Sequence, residues 1–321
     1  MAGESRAAEQ QSFRQRLARR FAGEQGAYRR GDGRVAILFL LPDLIPFVAF
    51  TLLGVLATCG LSFTRWDLIN APSWAGLQNY RDLWDDDLFR KVLVNTLYYT
   101  IGVVPIATAL ALLAALGLNL KLPGSLVLRT AYFAPYITTL VAAALVFQWV
   151  FDPRAGLIDS VLYAIGVQNP PGWLNSTKWA MPALIIFGIW RQVGFNIVLF
   201  LAGLQGVDHA LLDAASVDGA GPWRRFLHVT LPLISPTTFF VVVITTIGSF
   251  QIFDQAYAMT NGKFYPDNAT NTLVGYLFQR AFVDAGANMG LASAVAWVLF
   301  LLVFAVTMVQ FLVQRRWVHY G

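Results

Sequence analysis

Cysteine and histidine are nearly absent from this chain. Its 321 residues include one cysteine, Cys59, and three histidines, His209, His228 and His319. A lone cysteine cannot close an intrachain disulfide, and no spacing of cysteines and histidines matches that of a metal site. The sequence therefore predicts neither a disulfide nor a metal centre.

Charged residues are also scarce. They make up 13% of the chain, against 57% for hydrophobic residues, and the mean hydropathy is +0.56. Soluble domains carry about 25% charged residues, and the core of a soluble fold could not bury this much apolar surface. A bilayer could, because a spanning helix needs about 20 consecutive apolar residues.

Six continuous apolar runs meet that length. The strands of a membrane barrel would alternate with period two, so unbroken runs indicate helices. We therefore predict an all-α integral membrane protein with six transmembrane helices. The predicted spans are residues 35–63, 92–118, 130–151, 179–204, 231–258 and 289–313.

The chain also lacks a phosphate-binding loop. No G-x-x-x-x-G-K-[ST] motif occurs, and Asn261-Gly262-Lys263 lacks both the upstream glycine and the Ser or Thr. No nucleophile–base pair indicates an enzyme. We expect any ATP and Mg²⁺ to be bound by a partner, with no cofactor in this chain.

Basic residues are unevenly distributed between the connecting segments. If the amino terminus is inside, 14 Lys and Arg residues fall in inside segments and 7 in outside segments. The positive-inside rule then places both termini in the cytoplasm. The net charge of +5 is thus a topology signal and gives no reason to predict nucleic-acid binding.

The topology divides the chain into a basic cytoplasmic tail, residues 1–34, and a transmembrane domain, residues 35–321. The tail is either an amphipathic helix on anionic headgroups or a disordered segment that only sets orientation. The connection between spans four and five also falls in the cytoplasm.

That connection is long, polar and interrupted by glycine and proline. Asp208 can cap a helix over 209–217, because its carboxylate can accept from free backbone N–H groups. Gly219 can end that helix in the left-handed conformation, and Pro222 suits the first turn of a second helix. The sequence predicts a helix–turn–helix that docks in a groove of a partner. The alternative is a surface loop with no partner.

The same connection carries a spaced motif. Asp213-Ala214-Ala215 is followed after three residues by Gly219, and after nine more by Val229-Thr230-Leu231-Pro232. This arrangement resembles the EAA coupling loop of ABC importer permeases, whose pattern is E-A-A, three residues, G, nine residues and I/V-x-L-P. Asp213 replaces the usual Glu, which keeps the carboxylate on a shorter side chain.

Further segments resemble the carbohydrate-uptake subfamily of these permeases. They resemble its first permease type in particular, which is similar to the maltose, lactose and glycerol-3-phosphate systems. The segments are S-F-T-R-W-D at 62–67, G-L-Q-N-Y at 76–80, Asn95-Thr96, F-D-Q-A-Y at 253–257 and T-N-G at 260–262.

The resemblance implies a non-catalytic permease subunit of an ATP-driven, binding-protein-dependent importer of a sugar or oligosaccharide in a bacterial inner membrane. The implied partners are a second permease, an ATPase dimer, an extracytoplasmic substrate-binding protein and a sugar-like molecule. The implied coupling loop is residues 205–232. Its candidate ATPase-coupling residues are Asp213, Ala214, Ala215, Asp218, Gly219 and Ala220.

Polar residues within the predicted spans mark a candidate substrate path, because such groups are costly in a bilayer and tend to face a cavity or a partner. Gln251 and Asp254 are predicted to share one face of the fifth helix. Asp254 either contacts the sugar or pairs with Arg191. The candidate path residues are Gln148, Arg191, Asn196, Gln251, Asp254 and Tyr257.

Three alternative functions can be compared with this prediction. Glycerol-3-phosphate or a glycerophosphodiester is an alternative substrate within the same class. An ion-driven secondary transporter would favour inverted repeats and buried carboxylates in both halves, and only Asp254 and Asp43 approach that pattern. A membrane enzyme is disfavoured by the missing catalytic groups.

Overall fold

A computed structural model of the chain describes residues 32–120, 124–284 and 288–318, with side chains described from residue 37. The described chain is mainly helical. The predicted tail, residues 1–34, lies outside the described residues except for its last three. The chain divides into two compact units, residues 1–57 and 58–321.

The first unit is an apolar helix. Its α1 (Asp32–Pro46) continues through a π-helical turn, Phe47–Leu52, into α2 (Leu53–Leu61), whose last residues belong to the second unit. Every side chain described from 37 to 57 is exposed. A continuous helix with apolar side chains on all sides is what a lipid-facing span presents.

The second unit begins with a small hairpin and continues as helices. Strands β1 (Thr64–Arg65) and β2 (Ser73–Trp74) pair antiparallel, with Thr64 opposite Trp74. The helices are α3 (Gln78–Asp85), α4 (Asp87–Asn119), α5 (Ser125–Ile137), α6 (Leu140–Val150), α7 (Leu157–Ala164), α8 (Ala180–Gln205), α9 (His209–Val217), α10 (Pro222–Arg225), α11 (Leu231–Leu233), α12 (Ser235–Phe250), α13 (Asp254–Met259), α14 (Leu273–Phe278) and α15 (Met289–Gln314). Shorter turns are the 3₁₀ segment Trp173–Asn175 and the π-helical segments Phe226–Thr230 and Gln279–Val283.

Four helices are long and apolar enough to cross a membrane, or up to six elements if each of two bent pairs counts as one span. The four are Ile37–Leu61, α4, α8 and α15, with mean hydropathies between 1.8 and 2.5. The described structure thus supports an all-α membrane protein with four to six spans.

The apolar run predicted to span the membrane over 130–151 is not one continuous helix. The chain there forms α5 and α6, which meet at an angle of 96°. Pro135 lies inside the last turns of α5, and the backbone at Thr138 is extended, with φ −63° and ψ 140°. Proline removes a helical hydrogen bond. At the end of α5 the Ala134 carbonyl accepts from both the backbone N–H and the hydroxyl of Thr138, at 3.0 and 2.7 Å.

The prediction of one helix over 231–258 is wrong. Helix α12 ends at Phe250, and α13 begins at Asp254 after an irregular step. Non-helical backbone inside a membrane protein must be satisfied by the protein itself. The carbonyl of Ile252 meets this need by accepting from the Thr272 hydroxyl at 2.7 Å. Gln251 and Asp254 therefore do not share a helix face.

Helix α8 is the central element of the second unit, and it packs against α4, α5 and α12. Glycines allow the close approach. A Cβ added at Gly194 would collide with the backbone carbonyl of Tyr132 on α5, whereas a Cβ added at Gly117 on α4 would meet nothing within 4 Å.

We expect Gly194→Ala to lower the stability of the folded chain. The clash is with backbone, so α5 and α8 must move apart, and such overpacking costs about 1–3 kcal/mol. The midpoint of thermal unfolding of the detergent-solubilised importer measures the effect. Gly117→Ala is the matched control, because it adds the same methyl group to a helix where space is free. An equal response of the two variants would contradict the packing argument.

A charged cluster joins the start of α4 to the π-helical segment after α14. The Asp86 carboxylate caps α4 by accepting from the Leu88 N–H at 2.7 Å. It also accepts from the Tyr276 hydroxyl and from the Arg280 guanidinium, each at 2.6 Å. Partial burial acts to raise the pKa of Asp86, but the hydrogen bonds from Tyr276, Leu88 and Arg280 outweigh it and lower that pKa.

This cluster predicts an acid-sensitive contribution to stability. A carboxyl with a lowered pKa in the folded state stabilises fully above its unfolded pKa, about 4, and loses that contribution as the pH falls further. We expect the Asp86 contribution to be about 1–2 kcal/mol, since its partners are charged but partly exposed. The midpoints of thermal unfolding of the solubilised importer, measured between pH 3 and pH 7, test this contribution to stability. The Asp86→Asn variant should be less stable at pH 7 and should converge with the parent at acidic pH; a constant gap would contradict the assignment.

Candidate translocation site and coupling segment

Helices α6 and α13 pack together and enclose the first of two neighbouring cavities. This Asp254 cavity has a volume of about 590 Å³. Apolar residues of α6, including Val141 and Leu145, form one wall, and Asp254, Tyr257 and Asn261 contribute polar groups. The Tyr257 ring is held in an aromatic cluster with Phe253, Phe264 and Phe278, at centroid distances of 5.2, 5.9 and 5.5 Å.

Asp254 and Tyr257 are both exposed to this cavity. Within the described chain, no hydrogen bond or ion pair engages the Asp254 side chain. A carboxylate with no protein partner is available to accept hydrogen bonds from a hydroxylated ligand.

The second cavity lies further along the same two helices, where they lead into the segment that precedes α8. This Asp152 cavity has a volume of about 220 Å³. Asp152, Asn175, Thr260 and Tyr265 bring polar groups to it, and the buried ring of Phe151 forms part of its wall. Hydrogen bonds from the backbone N–H groups of Arg154 and Ala155 lower the pKa of Asp152.

Gln148 and Asn261 separate the two cavities. Asn261 lines both of them, and Gln148 lines the Asp152 cavity. The Gln148 amide donates to the Ala258 carbonyl at 2.8 Å and to the Asn261 side-chain oxygen at 3.3 Å. The longer of these bonds lies outside the usual 2.7–3.2 Å range and is correspondingly weak.

The other three predicted path residues lie elsewhere. Arg191 donates to the Thr138 carbonyl at 3.2 Å and lies over the Tyr136 ring, 5.6 Å from its centroid. It makes no ion pair with Asp254 in the described structure. Its contacts hold the break between α5 and α6.

Asn196 and Gln251 also fall outside both cavities. Asn196 is fully buried and exchanges hydrogen bonds with Gln192 and Thr245, which ties α8 to α12. Gln251 is exposed in the turn that follows α12. Neither side chain lines the Asp254 cavity or the Asp152 cavity.

Four residues that line the cavities were not predicted from the sequence, namely Asp152, Asn175, Asn261 and Tyr265. They lie in turns and loops, where no hydrophobic period identifies a face. One local signal was present: Asn261-Gly262 is a turn dipeptide, and both residues have positive φ, 52° and 74°. Asparagine and glycine are the residues that tolerate this conformation.

The segment between α8 and α12 contains two short helices joined by a tight turn. The Asp208 carboxylate caps α9 by accepting from the Ala210 N–H at 2.9 Å. Gly219 ends α9 with φ 78°, and the Ala220 N–H donates back to the Ala215 carbonyl at 2.9 Å. Pro222 then occupies the first turn of α10. The αL glycine and the back-bonded N–H are those of a Schellman-type helix end.

This segment presents polar and apolar side chains to its surroundings. Asp213, Ala214, Asp218 and Gly219 are exposed, and Ala215 and Ala220 are partly buried. Val217 is 89% exposed and Trp223 is 69% exposed. Large apolar side chains at such exposure on a short helix pair are a feature of binding surfaces. The start of the segment is anchored to the helices, because Leu204 and Val207 are buried in the apolar cluster that includes residues of α4.

Comparison with known proteins identifies the family. The model of the family described as "Binding-protein-dependent transport system inner membrane component" matches residues 107–319. The lactose transport system permease protein LacF of Rhizobium radiobacter is 34% identical over 282 residues, covering 87% of this chain and 93% of that protein. The sn-glycerol-3-phosphate transport system permease protein UgpA of Yersinia pestis is 33% identical, covering 78% of this chain and 83% of that protein.

A solved structure shows the same fold. The crystal structure of a bacterial alginate ABC transporter, in complex with an alginate pentasaccharide-bound periplasmic protein, contains a chain that matches with a TM-score of 0.74 at 20% identity. The match covers 91% of this chain and 97% of that chain. The fold, the family match and the two relatives agree: this chain belongs to the inner membrane components of binding-protein-dependent transport systems, the permease subunits of ABC importers.

Proposed function

We propose that this chain is one of two permease subunits of an importer for a neutral sugar or oligosaccharide, and that it forms half of the translocation path. The observation that carries the proposal is the Asp254 cavity, in which a partner-free carboxylate and a tyrosine ring lie against an apolar wall. A sugar offers hydroxyl donors to a carboxylate and weakly apolar ring faces to an aromatic surface.

The charge of the cavity favours a neutral sugar over a phosphate ester. Among the described residues that line the Asp254 cavity, Asp254 carries the charge and no lysine or arginine is present. Phosphate sites are built from Arg, Lys or clustered backbone N–H groups, and a carboxylate would repel the anion. Glycerol-3-phosphate is the second candidate substrate, favoured by the similarity to UgpA.

We further propose that residues 205–232 are cytoplasmic and dock on an ATPase subunit, which binds the ATP and Mg²⁺. The charge bias of the sequence supports the cytoplasmic placement. The exposed Asp213, Val217 and Trp223 give the segment a mixed polar and apolar surface. A second permease, an ATPase dimer and an extracytoplasmic binding protein would complete the importer.

Uptake by cells of the source organism tests the substrate. A strain lacking this chain, and the same strain complemented with it, are compared for uptake of labelled lactose, maltose, raffinose, arabinobiose and glycerol-3-phosphate. We expect the complemented strain to regain uptake of at least one of the four sugars. Restored uptake of glycerol-3-phosphate alone would overturn the sugar proposal.

Asp213→Lys tests the docking of residues 205–232. Asp213 is exposed and, within the described chain, has no hydrogen-bonded partner, so reversing its charge should leave the fold intact. We expect the variant to insert normally but to lose sugar-stimulated ATP hydrolysis and to retain less of the ATPase after purification. Asp213→Glu, which keeps the carboxylate, is the matched control and should stay active. Full coupling in the lysine variant would contradict the docking proposal.

A further inference from the structure

We propose that the Asp254 cavity and the Asp152 cavity are consecutive subsites for adjacent rings of one oligosaccharide, and that the Gln148–Asn261 amide pair lies at the junction between the rings. This inference rests on the proposed sugar function and narrows it to substrates of at least two rings.

The two cavities are continuous along one pair of packed helices. Both cavities lie along the packed pair α6 and α13, and Asn261 lines both. The residues of α6 that line the Asp254 cavity run from 140 to 145, and the Asp152 cavity is lined by Gln148 of the same helix and by residues 151–153, which follow its end. A ligand that extends along α6 therefore passes from one cavity directly into the other.

The two cavities also offer a ligand similar chemical groups. The lining of each cavity includes a carboxylate, the Asn261 amide and the ring of a tyrosine. Asp152 uses its Oδ1 atom for the N–H groups of Arg154 and Ala155, at 2.8 and 2.9 Å. Its Oδ2 atom has no partner in the described chain and remains able to accept from a hydroxyl.

Tyr265 supplies the aromatic surface. Its side chain is 43% exposed, while its hydroxyl donates to the Asn175 side-chain oxygen. That hydrogen bond fixes the ring at the edge of the cavity. An oriented ring loses little conformational entropy when a ligand binds, which favours affinity.

The Gln148–Asn261 pair at the junction can exchange its weak hydrogen bond for one to a sugar. Gln148 offers an amide whose bond to Asn261 is long, 3.3 Å, whereas its bond to the Ala258 carbonyl is 2.8 Å. A ring hydroxyl next to the glycosidic bond can replace the weak bond, because it can accept from the Gln148 amide and donate to the Asn261 side-chain oxygen, which leaves neither amide unpaired. The junction is therefore a place where a chain of rings can cross between the cavities at low cost.

Cysteine protection tests the two subsites separately. Cys59 is the single cysteine of the chain, so Cys59→Ser provides a cysteine-free parent. In this parent, Val141→Cys reports on the Asp254 cavity and Pro153→Cys on the Asp152 cavity; both native side chains are exposed, and neither makes a hydrogen bond that the proposed subsites use. Gln168→Cys, at an exposed position that lines neither cavity, is the matched control.

The assembled importer in membrane vesicles is alkylated with a maleimide. The reaction is repeated with the oligosaccharide that the uptake panel shows to be transported, and with each monosaccharide unit of that sugar. We expect the oligosaccharide to slow alkylation at both 141 and 153 several-fold and to leave 168 unchanged. We expect each monosaccharide to protect the two positions more weakly than the oligosaccharide does at the same concentration, because unlinked rings bind the two cavities independently.

Two results would overturn the inference. Protection of 141 by the transported oligosaccharide, with 153 reacting at its unprotected rate, would show that the Asp152 cavity is not a subsite. Protection of both positions by a monosaccharide as strong as that by the oligosaccharide at the same concentration would show that linked rings do not span the two cavities. Failure of the proposed function is distinct, because it appears earlier, as absence of uptake of every sugar in the panel.

Discussion

Replacing Gly219 by proline is expected to abolish transport while leaving the chain in the membrane. Gly219 has φ 78°, and proline holds φ at about −65°. Proline also removes the N–H that donates to the Ser216 carbonyl at 3.1 Å, and it disfavours the helical backbone of Asp218 before it. A cost of about 3 kcal/mol lowers the population of the docking conformation about 100-fold.

The measurement compares ATP-driven sugar uptake with the amount of chain in the membrane. Gly219→Asn is the matched control, because asparagine tolerates positive φ and a Cβ added at this position meets nothing within 4 Å. We expect the asparagine variant to keep most of its transport. Normal uptake by the proline variant would show that the geometry of the turn does not matter for coupling.

The backbone of this segment could be anticipated from the sequence because each structural feature depends on a neighbouring residue. Asp208 caps the helix that starts beside it, Gly219 ends the same helix, and Pro222 begins the next. Capping and chain reversal are local effects, set by side-chain oxygens and by the φ values that glycine and proline allow. The partner surface is not local, so the docking of Asp213 stays a prediction.

The breaks in the apolar runs could not be anticipated in the same way. Hydropathy reports whether a residue prefers lipid, and both α5 with α6 and α12 with α13 lie in predominantly apolar runs of the sequence. The break after Phe250 is stable because Thr272, twenty residues away, satisfies the Ile252 carbonyl. Pro135 was visible in the sequence, but proline is tolerated in membrane helices and does not by itself predict a 96° bend.

The same limit explains which of the predicted path residues line the two cavities. Asp254, Tyr257 and Gln148 are polar or aromatic within apolar runs, and all three reach the cavities. Asn196 gave the same signal but bonds to Thr245 within the packed helices. A polar residue in a span must find some partner, and the sequence does not tell whether that partner is a ligand or a neighbouring helix.

Removing the Asp254 carboxylate is expected to raise the KM for sugar uptake about 10- to 100-fold without disturbing assembly. Hydrogen bonds to a charged group contribute about 1.5–3 kcal/mol, and each 1.4 kcal/mol is about a tenfold change in affinity. The Asp254 carboxylate has no hydrogen-bond or ion-pair partner in the described chain. Asp254→Ala therefore leaves no charged group of this chain without its partner. Kinetics of uptake, together with co-purification of the partner subunits, measure the two effects independently.

Gln251→Ala separates the structure from the simpler helical interpretation of the sequence. On one continuous helix, Gln251 would lie one turn from Asp254 on the same face, and both substitutions would impair uptake. In the structure α12 ends before Gln251, whose exposed side chain lines neither cavity, so its substitution should leave the KM unchanged. Loss of the partner subunits from Asp254→Ala would instead assign Asp254 to assembly, and an equal rise in KM for both variants would show that Gln251 also belongs to the substrate path.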